Sequence, residues 1–102
     1  PQADVAANHH ALFLGRFTQE KAPDILAAAA RAVGMPVRFV GEGPLAGRIA
    51  EVNPRAEIRA WVAAEHVFDE IARARCLVLP SLWYEPGPLV IAEARAVGVP
   101  VV

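Results

Sequence analysis

Cysteine is nearly absent: Cys76 stands alone among 102 residues. One thiol cannot close an internal disulfide and offers no pair with metal-ligand spacing. An oxidised scaffold and a zinc module are therefore set aside, and a reducing, cytoplasmic setting is expected. An excess of one charge is missing too. Ten Lys plus Arg stand against eleven Asp plus Glu, a net charge of -1, with no block of like charge. Neither a nucleic-acid backbone nor an anionic membrane surface finds an electrostatic footprint. No apolar run approaches the roughly 18 residues needed to cross a bilayer, so no transmembrane segment is expected. The residues from Pro1 carry no basic or apolar targeting region. Aromatics make up only 7% of the chain, and 21 alanines supply much of its 55% apolar content. The core is adequate rather than rich, as suits one domain of this size.

What is present is an alternation. Ala11 to Gly15 is a short apolar run closed by glycine, followed by a polar loop, Arg16 to Lys21, and then Pro23-Asp24. This predicts a buried strand, a loop and a helix from Pro23 to Val33, with proline in the first turn and Gly34 as the stop. Val37 to Val40 predicts a second strand, ending at Gly41, and a helix is expected from about Leu45 to Val52 before Asn53-Pro54. A third strand is expected over Glu57 to Trp61. The apolar spacing of Val67, Phe68, Ile71, Ala72 and Ala74 then predicts a helix. A fourth strand follows over Cys76 to Leu79, then a loop from Ser81 to Gly87, a helix from about Pro88 to Val97, and the start of a fifth strand at Val99 to Val102.

Apolar strands alternating with helices of this length predict an α/β class with a doubly wound parallel sheet, a Rossmann-like arrangement for which the order 3-2-1-4-5 is expected. Residues 1–10 read as an N-terminal linker and 11–102 as the domain. The chain stops inside its fifth strand signal, so it is expected to be part of a larger protein.

Open sheets of this kind bind ligands at the carboxyl ends of their strands. There the chain carries Gly15, Arg16 and Lys21, then Gly41-Glu42-Gly43, then Trp61, then Ser81 to Pro88. No P-loop is present, and Gly41-Glu42-Gly43 reaches Gly47 with one residue too many for a dinucleotide fingerprint. Arg16 and Lys21 leave a glycine turn as two cations suited to the phosphates of a nucleoside diphosphate. By themselves they describe a solvated basic loop at least as well. Glu85 precedes a helix start and Glu93 lies inside that helix. The pair suits either contact with a ligand or two solvated acids, and the helix start near Gly87 offers free N–H groups to an anion. His9 and His10 have no third ligand at suitable spacing, so no metal site is expected. His66 reads as a surface residue and Cys76 as a small core residue.

In order and spacing, the segments Gly15 to Lys21, Phe39 to Pro44, Leu79-Pro80-Ser81, Glu85 to Glu93 and Glu93 to Val102 resemble the C-terminal, donor-binding domain of GT-B glycosyltransferases of family 4. The resemblance spans residues 11–102. It implies the donor-binding part of a retaining, metal-independent enzyme without a cofactor, which moves a sugar from a nucleoside-diphosphate sugar to an acceptor hydroxyl. Its partner would be an N-terminal acceptor-binding domain of the same enzyme.

By the resemblance, Arg16 and Lys21 bind the diphosphate beside Gly15 and stabilise the leaving nucleotide. Glu85 holds donor-sugar hydroxyls, and Gly87, Leu89 and Val90 present backbone N–H groups. Glu93 bonds the ribose, while Gly41, Gly43 and Trp61 border the nucleotide. For Trp61, a packed strand-end aromatic stays equally open. Two positions depart from the family pattern, Ala22 and Ala60, where glycine is usual; positive φ at either would strain an alanine. Pro86 and Pro88 also stiffen the glutamate loop. Two other readings of the chain are a non-catalytic nucleotide-binding module and a flavodoxin-like or receiver-like interaction domain.

Overall fold

The computed structural model describes residues 8–78 and 98–102. Its elements run β1 (Ala11–Leu14), a 3-10 turn (Gln19–Lys21), α1 (Pro23–Val33), β2 (Val37–Val40), α2 (Ala46–Val52), β3 (Glu57–Arg59), α3 (Ala64–Ala72) and β4 (Cys76–Leu77). The sheet is parallel throughout, in the order β3-β2-β1-β4. Val101 adds a parallel bridge to Leu77. That places the last residues beside β4 and completes the 3-2-1-4-5 order expected from the sequence.

Alternation along the strands divides the core into two. Phe13, Val37 and Phe39 face α1 and α2 with Phe17, Leu26, Ala27, Ala30 and Ile49. Leu12, Leu14, Val40 and Leu77 face α3 with Val67, Ile71 and Val99. Phe13, Phe17 and Phe39 form a ring cluster with centroids 5.6 to 6.2 Å apart. It lies under the loop that leaves β1, and burying each ring contributes about 2 to 3 kcal/mol.

Helix α1 forms where the sequence predicts it. Pro23 takes the first turn, Pro23, Leu26, Ala27 and Ala30 turn inward, and Gly34 ends the helix in the left-handed region at φ 71°. Met35 N–H then donates to the Ala30 carbonyl, closing a Schellman turn. Asn53, buried behind α2, donates to the Ala27 carbonyl and accepts from Arg55 N–H. Its polar side chain is thus satisfied in the interior.

Two expectations are corrected. β3 ends at Arg59, two residues before Trp61, because Gly41 N–H takes the Arg59 carbonyl as the last rung and the chain then leaves the sheet. α3 ends at Ala72 rather than Ala74, where the Asn8 side-chain amide donates to the carbonyls of Ala72 and Ala74 at 2.8 and 3.0 Å. Arg75 N–H also donates to the His10 carbonyl at 2.7 Å. The fourth strand is described only over Cys76–Leu77. The expected loop from Ser81 and helix from Pro88 lie outside the described residues.

Candidate functional site

Beyond β1 and β2 the parallel pairing continues into the loops. Gly15 N–H donates to the Val40 carbonyl at 3.1 Å and Phe17 N–H to the Glu42 carbonyl at 3.0 Å, while the Phe17 carbonyl accepts from Leu45 N–H. Two glycines make this approach possible. A Cβ on Gly41 would collide with the Gly15 carbonyl, and one on Gly43 would stand 2.8 Å from both Phe17 N and Phe17 O. The Phe17 ring, 1% exposed, pins the β1 loop from below. Arg16 therefore sits between two anchored residues with its own side chain exposed.

Gly15, Arg16, Glu42 and Trp61 line a cavity of about 220 Å³ at the carboxyl ends of β1, β2 and β3. Trp61 is 50% exposed, so half of its surface is open to solvent beside the cavity. The side chains of Arg16 and Glu42 make no hydrogen bond or ion pair with other described residues. Among the described residues the cavity thus offers one cation, one carboxylate and one aromatic side chain.

Lys21 ends the 3-10 turn at the far side of the same loop and is half-buried. Next to it, Ala22 occupies the left-handed region at φ 55° and ψ 44°, as the one non-glycine with positive φ among the described residues. The cause is local. Pro23 disfavours a right-handed helical conformation in the residue before it, while Ala22 N–H must close the 3-10 turn onto the carbonyls of Thr18 and Gln19. Ala60, the second departure from the family pattern, is exposed and carries no positive φ.

Of the expected site residues, Gly15, Arg16 and Trp61 converge, with Gly41 and Gly43 close against the backbone of the β1 loop. Glu85, Gly87, Leu89, Val90 and Glu93 lie outside the described residues. Glu42 was not among the expected site residues. Its place between two strand-end glycines was the available signal, since such a residue projects from backbone pressed against the neighbouring loop. Among the described residues no group of three His, Cys, Asp or Glu side chains could hold a metal ion, and no helix is long and apolar enough to cross a membrane.

A second charged group lies away from the cavity, on the α3 side of the sheet. The Arg38 guanidinium donates to Glu57 at 2.6 Å and to Glu70 at 3.1 Å, and Arg59 also donates to Glu57. The hydrogen bonds from Arg59 and then Arg38 hold the Glu57 carboxyl below its ordinary pKa. His10 lies against this group with its Nε2 buried and unpartnered among the described residues. Desolvation, then the Arg38 charge, lowers its pKa. Burial raises that of the half-buried Cys76 thiol.

A parallel 3-2-1-4-5 sheet with its cavity at the strand ends is the Rossmann-like half of the GT-B fold. The chain belongs to the family described as glycosyl transferases group 1, whose model matches residues 8–102. Among solved structures it resembles AviGT4, a glycosyltransferase involved in avilamycin A biosynthesis, at 29% identity and a TM-score of 0.78 over 96% of this chain and 32% of that one. It also resembles sucrose-phosphate synthase from Thermosynechococcus elongatus, at 25% identity and a TM-score of 0.78 over 94% and 27%. A S. aureus TarM mutant in complex with fondaparinux, alpha-GlcNAc-glycerol and UDP shares the fold at 17% identity and a TM-score of 0.72, over 92% and 21%. The chain thus spans a third or less of the length of these proteins. No curated protein sequence matches it. Family membership sets aside the flavodoxin-like and receiver-like alternatives.

Proposed function

We propose that this chain is the donor-binding part of a retaining glycosyltransferase that moves a sugar from a nucleoside-diphosphate sugar to an acceptor hydroxyl in the cytoplasm. The observation that carries the proposal is Arg16, an exposed cation without a partner among the described residues, fixed between Gly15 and Phe17 at the mouth of the cavity. Family membership supports it, and UDP in the TarM complex shows that a protein of this fold binds a nucleoside diphosphate.

In this mechanism the bond between the anomeric carbon and the β-phosphate oxygen breaks as the acceptor oxygen bonds that carbon on the same face, and the acceptor hydroxyl's proton passes to the departing phosphate oxygen. Negative charge grows on the departing diphosphate, and Arg16 and Lys21 stabilise it, which calls for no metal ion. Positioned cations matter most where water is excluded. That exclusion would come from an N-terminal acceptor-binding domain closing over the cavity. Glu85 would orient the sugar hydroxyls, backbone N–H groups of Gly87, Leu89 and Val90 would contact the sugar and phosphate, and Glu93 would hold the ribose.

Release of nucleoside diphosphate from a panel of nucleotide sugars tests the proposal. Arg16→Ala should weaken both binding and turnover, whereas Glu85→Gln should reduce turnover far more than binding. Unchanged turnover in both variants would sink it. A protein that binds nucleotide and never releases it from a sugar would instead be a non-catalytic binding module.

A further inference from the structure

We infer that Glu42 reads the nucleobase in this cavity and that the donor it admits carries guanine rather than uracil or adenine. The inference rests on the nucleotide-donor function proposed above and names the ligand that the same site takes.

Glu42 lines the cavity with Gly15, Arg16 and Trp61, yet its carboxylate makes no hydrogen bond or ion pair with other described residues. An ionised carboxylate only accepts hydrogen bonds. Beside a diphosphate it would be repelled, so the phosphates belong with Arg16 and the Glu42 carboxylate with a neutral, donor-bearing part of the ligand. The half-exposed Trp61 supplies an aromatic face, and stacking on such a face tolerates every base. Among the described lining residues, selection among bases therefore falls to the remaining polar side chain, Glu42.

Guanine presents a ring N–H and an amino N–H side by side, matching the two oxygens of one carboxylate. Uracil presents a single N–H between two carbonyl oxygens, both of which a carboxylate repels. Adenine offers an amino group next to a ring nitrogen that only accepts. The backbone also favours precise reading. Glu42 lies between Gly41 and Gly43, both pressed onto the β1 loop, and its carbonyl is held by Phe17 N–H. Backbone held in this way loses little freedom when a ligand arrives, and only the side chain has to be ordered by the contact.

Calorimetric titration of the protein with GDP, UDP and ADP, repeated on Glu42→Gln, tests the inference. The wild type should bind GDP at least about tenfold more tightly than UDP or ADP, the order expected for one paired hydrogen-bond contact to a base edge. Glu42→Gln should lose most of that preference and leave UDP binding unchanged. Its unliganded melting temperature should equal the wild type's, because the side chain is exposed. Equal affinity for all three nucleotides overturns the inference and leaves the donor function standing. So does an equal loss for all three in Glu42→Gln, which would put the carboxylate on the shared ribose. If no nucleotide binds, the proposed function fails and the inference with it.

Discussion

Gly41 lies so close to Gly15 that a methyl group on its Cα would run into the Gly15 carbonyl oxygen. This contact joins the loops after β1 and β2, and it makes the position of Arg16 depend on a glycine 25 residues away in sequence.

Like-for-like substitutions should separate glycines that carry this contact from one that does not. Gly41→Ala meets backbone that cannot yield and should destabilise by about 2 to 4 kcal/mol, with nucleotide binding lost alongside. Gly47, exposed in α2 with open space around its Cα, should give the opposite sign, a gain of up to about 1 kcal/mol in Gly47→Ala. Urea denaturation midpoints of the two variants measure the difference. Equal effects would remove the loop contact from the account.

Ala22 and Ala27 are both fully buried alanines, but they should respond oppositely to glycine. Ala27 lies inside α1, so Ala27→Gly should cost about 1 kcal/mol in backbone entropy, with the lost methyl burial added. At Ala22 the left-handed backbone strains alanine by about 1 to 2 kcal/mol. Relief of that strain should offset both losses and leave Ala22→Gly neutral or slightly stabilised. A loss at Ala22 as large as that at Ala27 would mean that the backbone is unstrained there.

The first half of the fold was legible because its signals are local. Apolar runs stopped by glycine, Pro23 in a first turn and Gly34 at a helix end placed β1, α1 and β2 at their observed limits. The ends of β3 and α3 were not legible, because the partners that set them are remote. Gly41 takes the last rung of β3, and Asn8 caps α3 from more than 60 residues away. At the site, Arg16 was readable from its place after a strand-ending glycine, and Trp61 only as one of two readings. Glu42 was passed over as part of a turn, since one sequence does not show that two glycines press that turn onto the neighbouring loop.

Arg38 and Glu70 form a charge pair largely removed from water, their side chains 17% and 9% exposed. Removing the cation alone leaves Glu70 buried and unpaired, whereas Glu57 keeps Arg59. Arg38→Met should therefore cost about 2 to 4 kcal/mol, and Glu70→Leu added to it should restore much of the loss. A double variant less stable than Arg38→Met alone would contradict this. Denaturant unfolding of the two single variants and the double variant completes the cycle.

Acid should weaken the fold in two stages. His10 faces Arg38, Glu57, Glu70 and His9, and its folded pKa lies below the ordinary 6.5. The unfolded chain then binds the proton first, so stability is complete above about pH 6.5 and falls as pH drops through that value. Glu57 is likewise depressed, and its contribution is lost below the ordinary 4.5. Melting temperatures from pH 7.5 to 5 should fall for the wild type and stay flatter for His10→Gln. A wild-type rise over that range would reverse the sign of the His10 shift.

The central claim is that the cavity beside Arg16 holds the diphosphate of a nucleotide donor. Binding of a nucleoside, its monophosphate and its diphosphate to the wild-type protein and to Arg16→Ala tests that claim most directly. Affinity should rise with each phosphate in the wild type, and the diphosphate should lose about tenfold or more in Arg16→Ala, as removal of a charge-assisted contact should cause. A wild-type protein indifferent to the phosphates, or an Arg16→Ala variant that binds the diphosphate equally well, would contradict it.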